Sequence, residues 1–259
     1  MIGGNEAQFF IYQIEKGFCE MNRNAVIPNT QSFASIQRWV DSFSLNSFNN
    51  LQKVDEYVEF FDLKNLCKSL EQDRINSDSR KLERAVSAFE EKPYEPDYGD
   101  LCRLHWIILK RKAVNVLELG SGYSTAVMAA AMKILDERFG DWAKSNIRAE
   151  KPFHVFTVEE EQRFLEISRA RLGSKLLAYA TLCRSSVEVS FFDNRISTVY
   201  SKLPNISPDF IYLDGPSQFG TTQEVNGFCF ASKCRMPMSS DILRFEFFLE
   251  PGTMIITNR

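Results

Sequence analysis

The sequence is poor in the residues that most metal and redox chemistry requires. It has two histidines, His105 and His154, and six scattered cysteines with no C-x-x-C pair and no histidine pair nearby. A zinc site has little to be built from. A bias towards positive charge is also missing: 31 Lys and Arg stand against 34 Asp and Glu, for a net charge of −3. Such a chain has no general attraction for phosphate backbones or anionic lipid, which weakens a nucleic-acid partner without excluding a local basic patch. No apolar run reaches membrane-spanning length, and no basic start leads into an apolar stretch. With reduced thiols, a cytoplasmic protein is the expectation. Internal repeats and low-complexity tracts are lacking too. Phenylalanine, by contrast, is plentiful at 22 residues, and core packing with some exposed interface accounts for it.

The 259 residues fit one large domain, or one domain with a smaller attachment. Residues 1–95 carry apolar positions at helical spacing in "SFASIQRWVDSFSL", "VDEYVEFFDLKNLCKSL" and "SRKLERAVSAFEEK". Ser79 and the Glu90-Glu91-Lys92 run before Pro93 mark the ends of the last of these. "KPYEPDYGD" is the expected boundary, separating an N-terminal helical region (1–95) from a second domain (96–259).

Beyond it, "DLCRLHWIILKRK" reads as a helix entering a first strand, "AVNVLEL". Strands "FHVFTVE", "LAYATLC", "PDFIYLDG" and "GTMIIT" follow, with helices "TAVMAAAMKILDERF", "EQRFLEISRARLG" and "SSDILRFEFFL" between them, Ser240 capping the last. Continuous apolar strands alternating with helices predict an α/β fold, a doubly wound, mostly parallel Rossmann-like sheet covered on both faces. "VEVSFFDNRISTVY" interrupts the alternation as a hairpin about Asp193-Asn194. The polar loop "GPSQFGTTQEVNGFCFASKCRMPM" is long enough to predict a functional role, covering the second ligand of the site.

The chemistry centres on "NVLELGSGYSTAVMAAAM". Gly120 and Gly122 follow the first strand, where a backbone without β-carbons turns sharply and approaches a ligand closely. Thr125 occupies the third glycine position of a dinucleotide fingerprint. Glu118, two residues before the first glycine, would repel a pyrophosphate and suits a ligand that brings an amino group and no phosphate.

"VLELGSGYST" resembles the [DE]-x-G-x-G motif of class I S-adenosylmethionine-dependent methyltransferases. The resemblance implies that Glu118, Gly120, Ser121, Gly122, Tyr123 and Ser124 cradle the methionine part of that cofactor, with Tyr123 either over it or packed. It implies that Glu159, at the end of "FTVE", takes the ribose hydroxyls, for which a bidentate carboxylate is suited. Ser185 and Ser186, after the third strand, stand where the family often contacts adenine. Glu159 lies further along than the about 20 residues usual for the dinucleotide version, and the insertion "GDWAKSNIRAEKP" accounts for the excess.

Among such methyltransferases the chain looks closest to those of sugar and polysaccharide biosynthesis, so a small-molecule or glycan acceptor methylated on oxygen is expected. Asp214, ending the fourth strand, is the candidate catalytic or acceptor-positioning residue; the alternative is a carboxylate capping the "DGPS" turn. A catechol-type member would hold a divalent cation here, but Asp214, Thr257 and Asn258 offer one carboxylate and one amide, and no metal is assigned. His105 is expected to be a packed or surface histidine and not a base, and His154 lies at the wrong end of the sheet. The family adds two strands after the fifth, whereas this sequence stops at Arg259. The expectation is a piece of a longer protein, or else a sheet edge needing a partner. The N-terminal helices are expected either to gate the cleft or to form a homo-oligomer interface. The alternatives are a catalytically silent binding protein on the same fold and, less favoured by Glu118, a nicotinamide oxidoreductase.

Overall fold

The computed structural model describes residues 33–72, 96–216, 221, 223–229 and 239–257. Five parallel strands form the central sheet: β1 (Asn115–Leu119), β2 (His154–Glu159), β3 (Ala180–Arg184), β6 (Phe210–Leu213) and β9 (Met254–Thr257). Their order, β3-β2-β1-β6-β9, reverses direction at β1. The fold is α/β and Rossmann-like, with an N-terminal helical region. The crevice at the carboxyl ends of β1 and β6 is therefore the switch point, where ligands of open α/β sheets bind.

The strands are apolar in both directions because both faces are covered, but the two covers differ. Val116, Val155, Phe210 and Tyr212 face helices α4 (Tyr98–Arg111), α5 (Tyr123–Asn146) and α6 (Gln162–Leu176). The opposite face, with Leu117, Leu119, Val158 and Ile211, is covered among the described residues by Tyr200 and Phe245. Tyr200 ends the antiparallel hairpin β4 (Val187–Phe192) and β5 (Arg195–Tyr200), and Phe245 ends the short α7 (Asp241–Phe245). Among the described residues, long helices cover one face and a hairpin with one short helix the other.

Helices α1 (Phe33–Asp41), α2 (Leu51–Phe60) and α3 (Leu63–Gln72) share one continuous apolar cluster with α4 and α5. Much of the phenylalanine is used here: Trp39 stacks on Phe60 at 4.1 Å, and Phe43, Phe48 and Phe61 surround Tyr57. Each such ring taken from water is worth about 1.5–3 kcal/mol. The stretch read as one helix over 54–70 breaks at Asp62, whose φ of 54° turns the chain. Asp62 accepts a hydrogen bond from the Asn65 side chain at 2.7 Å, and the turn lets both Tyr57 and Leu63 be fully buried. The helix expected over 79–92 lies outside the described residues.

Other boundaries move for local reasons. Helix α4 starts earlier than read, because the Asp97 carboxylate accepts from the amides of Gly99 and Asp100. Helix α5 runs on through Asn146, so the first half of the presumed insertion is helix. Gly173 takes φ 55° and ψ −170° near the end of α6, and a short 3-10 turn (Leu177–Tyr179) precedes β3. Ser240 does precede α7, but its side chain bonds Ser197 Oγ at 2.7 Å instead of capping. Within the long loop, β7 (Glu224–Val225) and β8 (Phe228–Cys229) form a small hairpin that the sequence reading missed. Its Asn226-Gly227 turn, both residues at positive φ, was the available signal.

Candidate functional site

The carboxyl ends of β1, β2, β3 and β6 gather most of the residues singled out in the sequence. At the centre, Gly120 has φ +98°, and a β-carbon there would lie 2.8 Å from the Asp214 carbonyl carbon. Its amide donates to Val158 O, while the Asp214 amide donates to Leu119 O, each at 2.8 Å. Only glycine lets the turns after β1 and β6 touch in this way. Gly122 differs: its φ of −178° is ordinary extended backbone, and a β-carbon there would meet only Ser124 Oγ, at 3.8 Å.

Glu118 is fully buried beneath this turn. Ser124 Oγ donates to Oε1 at 2.5 Å, and Thr125 Oγ1 and Thr157 Oγ1 donate to Oε2 at 2.6 and 2.7 Å. Burial pushes its pKa up to about 7; the three hydroxyls oppose that and nearby Asp214 adds to it. An amino group was the partner expected for Glu118. In the structure, hydroxyls of the protein take that place, and both Glu118 and Ser124 fix the first turn of α5 to β1 and β2.

Glu159 lies beside the turn at the end of β2. Ser121 Oγ donates to its Oε2 at 2.9 Å and the Glu161 amide to its Oε1 at 3.0 Å. Burial raises its pKa, against these hydrogen bonds. The Ser185 amide donates to Glu159 O, and Ser185 Oγ accepts from the Lys202 amide at 2.8 Å. Exposed Ser186 shares a 2.8 Å hydrogen bond with Ser201 Oγ. These contacts tie the ends of β2, β3 and β5 into one rim. The Arg171 guanidinium lies over the Tyr123 ring, 3.7 Å from its centroid.

Asp214 is exposed at the end of β6, next to the cis Gly215–Pro216 bond. Of the other oxygen groups weighed for a cation, Thr257 ends the adjacent β9 and Asn258 lies outside the described residues. The histidines are remote from this rim. His105 is buried in the helical layer with Nδ1 2.9 Å from Tyr57 Oη, and burial takes its pKa down to about 3. His154, at the start of β2, is bonded to Thr181 Oγ1 at 2.8 Å, with burial lowering its pKa to about 4.

Tyr200 packs beneath the Gly215 turn and was not singled out in the sequence. It is wholly buried, and a β-carbon on Gly215 would come within 2.9 Å of its hydroxyl. That hydroxyl has no hydrogen-bond partner among the described residues. Burial, then the charges of Glu159, Glu160, Asp241 and Glu118, push its pKa far above the usual phenol range, so it stays protonated. Its only trace in the sequence is its place at the inward end of the "RISTVY" alternation. An unpaired buried hydroxyl costs about 1–3 kcal/mol, so Tyr200→Phe is expected to leave stability unchanged or raise it by about 1 kcal/mol. A urea unfolding midpoint below that of the native protein would show that the hydroxyl has a partner, such as a buried water.

No protein-family model matches the chain, and neither does any curated protein. Among solved structures the chain is similar to the O-methyltransferase from Bacillus cereus in complex with SAH, at 16% sequence identity and a TM-score of 0.38, over 75% of this chain and 74% of that one.

Proposed function

We propose that the chain binds S-adenosylmethionine at the carboxyl ends of β1 and β2 and serves methyl transfer to an oxygen of a small-molecule or glycan acceptor. The observation that carries this reading is the Glu159 carboxylate, placed beside a tight glycine turn that a buried second carboxylate, Glu118, holds from below. Two carboxylates around one turn disfavour a pyrophosphate and favour a ligand with hydroxyl donors. Glu159 suits vicinal ribose hydroxyls, with its Ser121 contact exchanged for a ligand donor. When bound, the sulfonium supplies an electrophilic methyl group.

The chain's own contribution is then positioning and proton management. Gly122 leaves the start of α5 open for close approach of the ligand. Exposed Asp214, on the neighbouring strand, receives the acceptor's proton or orients its hydroxyl. Ser185 and Ser186 form the rim on the adenine side.

Calorimetric titration with S-adenosylmethionine and S-adenosylhomocysteine tests it, with NADH as control. Glu159→Ala is expected to weaken binding about 100-fold, the loss of two charge-assisted hydrogen bonds. Binding of NADH in place of the sulfonium, or equal affinity in the variant, would sink the proposal. Binding without turnover of any hydroxyl acceptor would identify a silent member of the fold.

A further inference from the structure

Arg171 is a buried cation that no acid meets among the described residues. It lies on the third turn of α6, is 8% exposed, and takes part in none of the ion pairs found there. Its guanidinium lies over the Tyr123 ring, and its Nε has no hydrogen-bond partner among the described residues. Burial lowers its pKa, and the groups acting against this are Tyr123 and Cys67, neither of them a carboxyl. Arginine is almost never buried unless paired, because an uncompensated charge in the interior is costly. A ring face offsets only a part of that cost. The surroundings point to what would offset the rest. Tyr123 opens α5 directly after the glycine turn, and Gly122 before it has no side chain with which to cap the first-turn amides. Helical side chains lean toward the N-terminus of their own helix, and α6 starts just beyond Glu159, so Arg171 reaches toward the same edge of the sheet.

We propose that Arg171, with the open first turn of α5, takes the carboxylate at the amino-acid end of the bound cofactor. The inference rests on the S-adenosylmethionine reading above and adds which of its end groups the protein recognises. That end carries one carboxylate and one ammonium. Glu118, the acid that the sequence offers to an ammonium, is fully buried and already accepts from Ser124, Thr125 and Thr157. Arg171 still has a donor to offer. A planar guanidinium meets a carboxylate through two parallel N–H···O bonds, and the start of a helix adds its amides and dipole. The carboxylate therefore carries the recognition and the ammonium little of it. Arg171 binds the ligand and takes no part in the methyl transfer.

Calorimetric titration of the full chain with S-adenosylmethionine and two analogues tests this, one analogue lacking the carboxylate and the other the amino group. In the native protein the decarboxylated analogue is expected to bind about 100-fold more weakly than S-adenosylmethionine. The deaminated one should bind within about threefold of it. Arg171→Met should weaken S-adenosylmethionine by the same factor and leave the decarboxylated analogue unchanged, since each change removes one half of the same contact. Arg171→Lys, which keeps the charge without the planar fork, should fall between. Without ligand, Arg171→Met should have the native urea midpoint or a higher one, because it removes an unpaired charge and keeps a contact with the Tyr123 ring. A lower midpoint would show that the chain supplies its own acid to Arg171, and would overturn the inference. So would native affinity for S-adenosylmethionine in Arg171→Met, or a native protein that rejects the deaminated analogue instead; the cofactor reading would survive both. A native protein that binds neither S-adenosylmethionine nor S-adenosylhomocysteine would remove that reading and this inference with it.

Discussion

Gly120→Ala is expected to destabilise the fold by about 3–5 kcal/mol. At φ +98° an alanine is strained by about 1–3 kcal/mol. Its β-carbon would also sit 2.8–2.9 Å from the carbonyl carbon and oxygen of Asp214, both backbone atoms that no rotamer can move. The ends of β1 and β6 would have to part, breaking the hydrogen bond from the Asp214 amide to Leu119 O. Gly122→Ala is the matched control. There the backbone is extended and the added carbon meets only Ser124 Oγ at 3.8 Å, so less than about 1 kcal/mol is lost. Urea unfolding of the two variants beside the native protein decides it. Equal losses would mean that the close approach of the two turns is not what requires glycine at 120.

Lowering the pH should stabilise this protein through Glu118, and Glu118→Gln should lack that gain. The carboxyl's pKa rises from 4.5 to about 7 on folding, chiefly through burial. Between these values the folded state holds a proton that the unfolded chain has released. The associated stability is fully present below pH 4.5 and is lost as the pH climbs to about 7. The shift corresponds to about 3 kcal/mol across that window. Burial also raises Glu159, Asp209 and Asp241, so the native profile alone mixes several carboxyls. The difference between native and Glu118→Gln unfolding free energies at pH 5 and pH 8 isolates the one group. A difference that does not change with pH would show that Ser124, Thr125 and Thr157 hold an ionised Glu118 at no net cost.

The sheet was legible because short continuous apolar runs such as "NVLEL" and "FIYL" are bounded by turn residues and alternate with longer helical stretches. The glycine turn and its flanking acids were picked out by the resemblance of "VLELGSGYST" to a known cofactor-binding motif, since the two glycines alone are a weak signal. The partners of Glu118 were not legible. Thr157 is 39 residues away in sequence, and only the β1–β2 register brings it beneath the turn. Tyr200 was missed for the same reason, because its place under Gly215 depends on how the hairpin folds across the sheet. The break at Asp62 hid in a continuous helical pattern, since an aspartate at positive φ leaves no mark on hydrophobic spacing.

The strand order β3-β2-β1-β6-β9 has a consequence for how the molecule opens. The strand that ends in the glycine turn is central, bonded on both sides, with the most deeply buried neighbours. Its amide protons can reach solvent only when the whole sheet comes apart. Those of β9 and β3, at the two margins of the sheet among the described residues, are released by fraying of a single ladder. The hairpin and α7, the thinner cover, come away at less cost than the helical layer. Amide exchange should therefore run inward from both edges and from the hairpin side, leaving Val116–Leu119 as the slowest protons. The floor of the site is the last part of the structure to be lost.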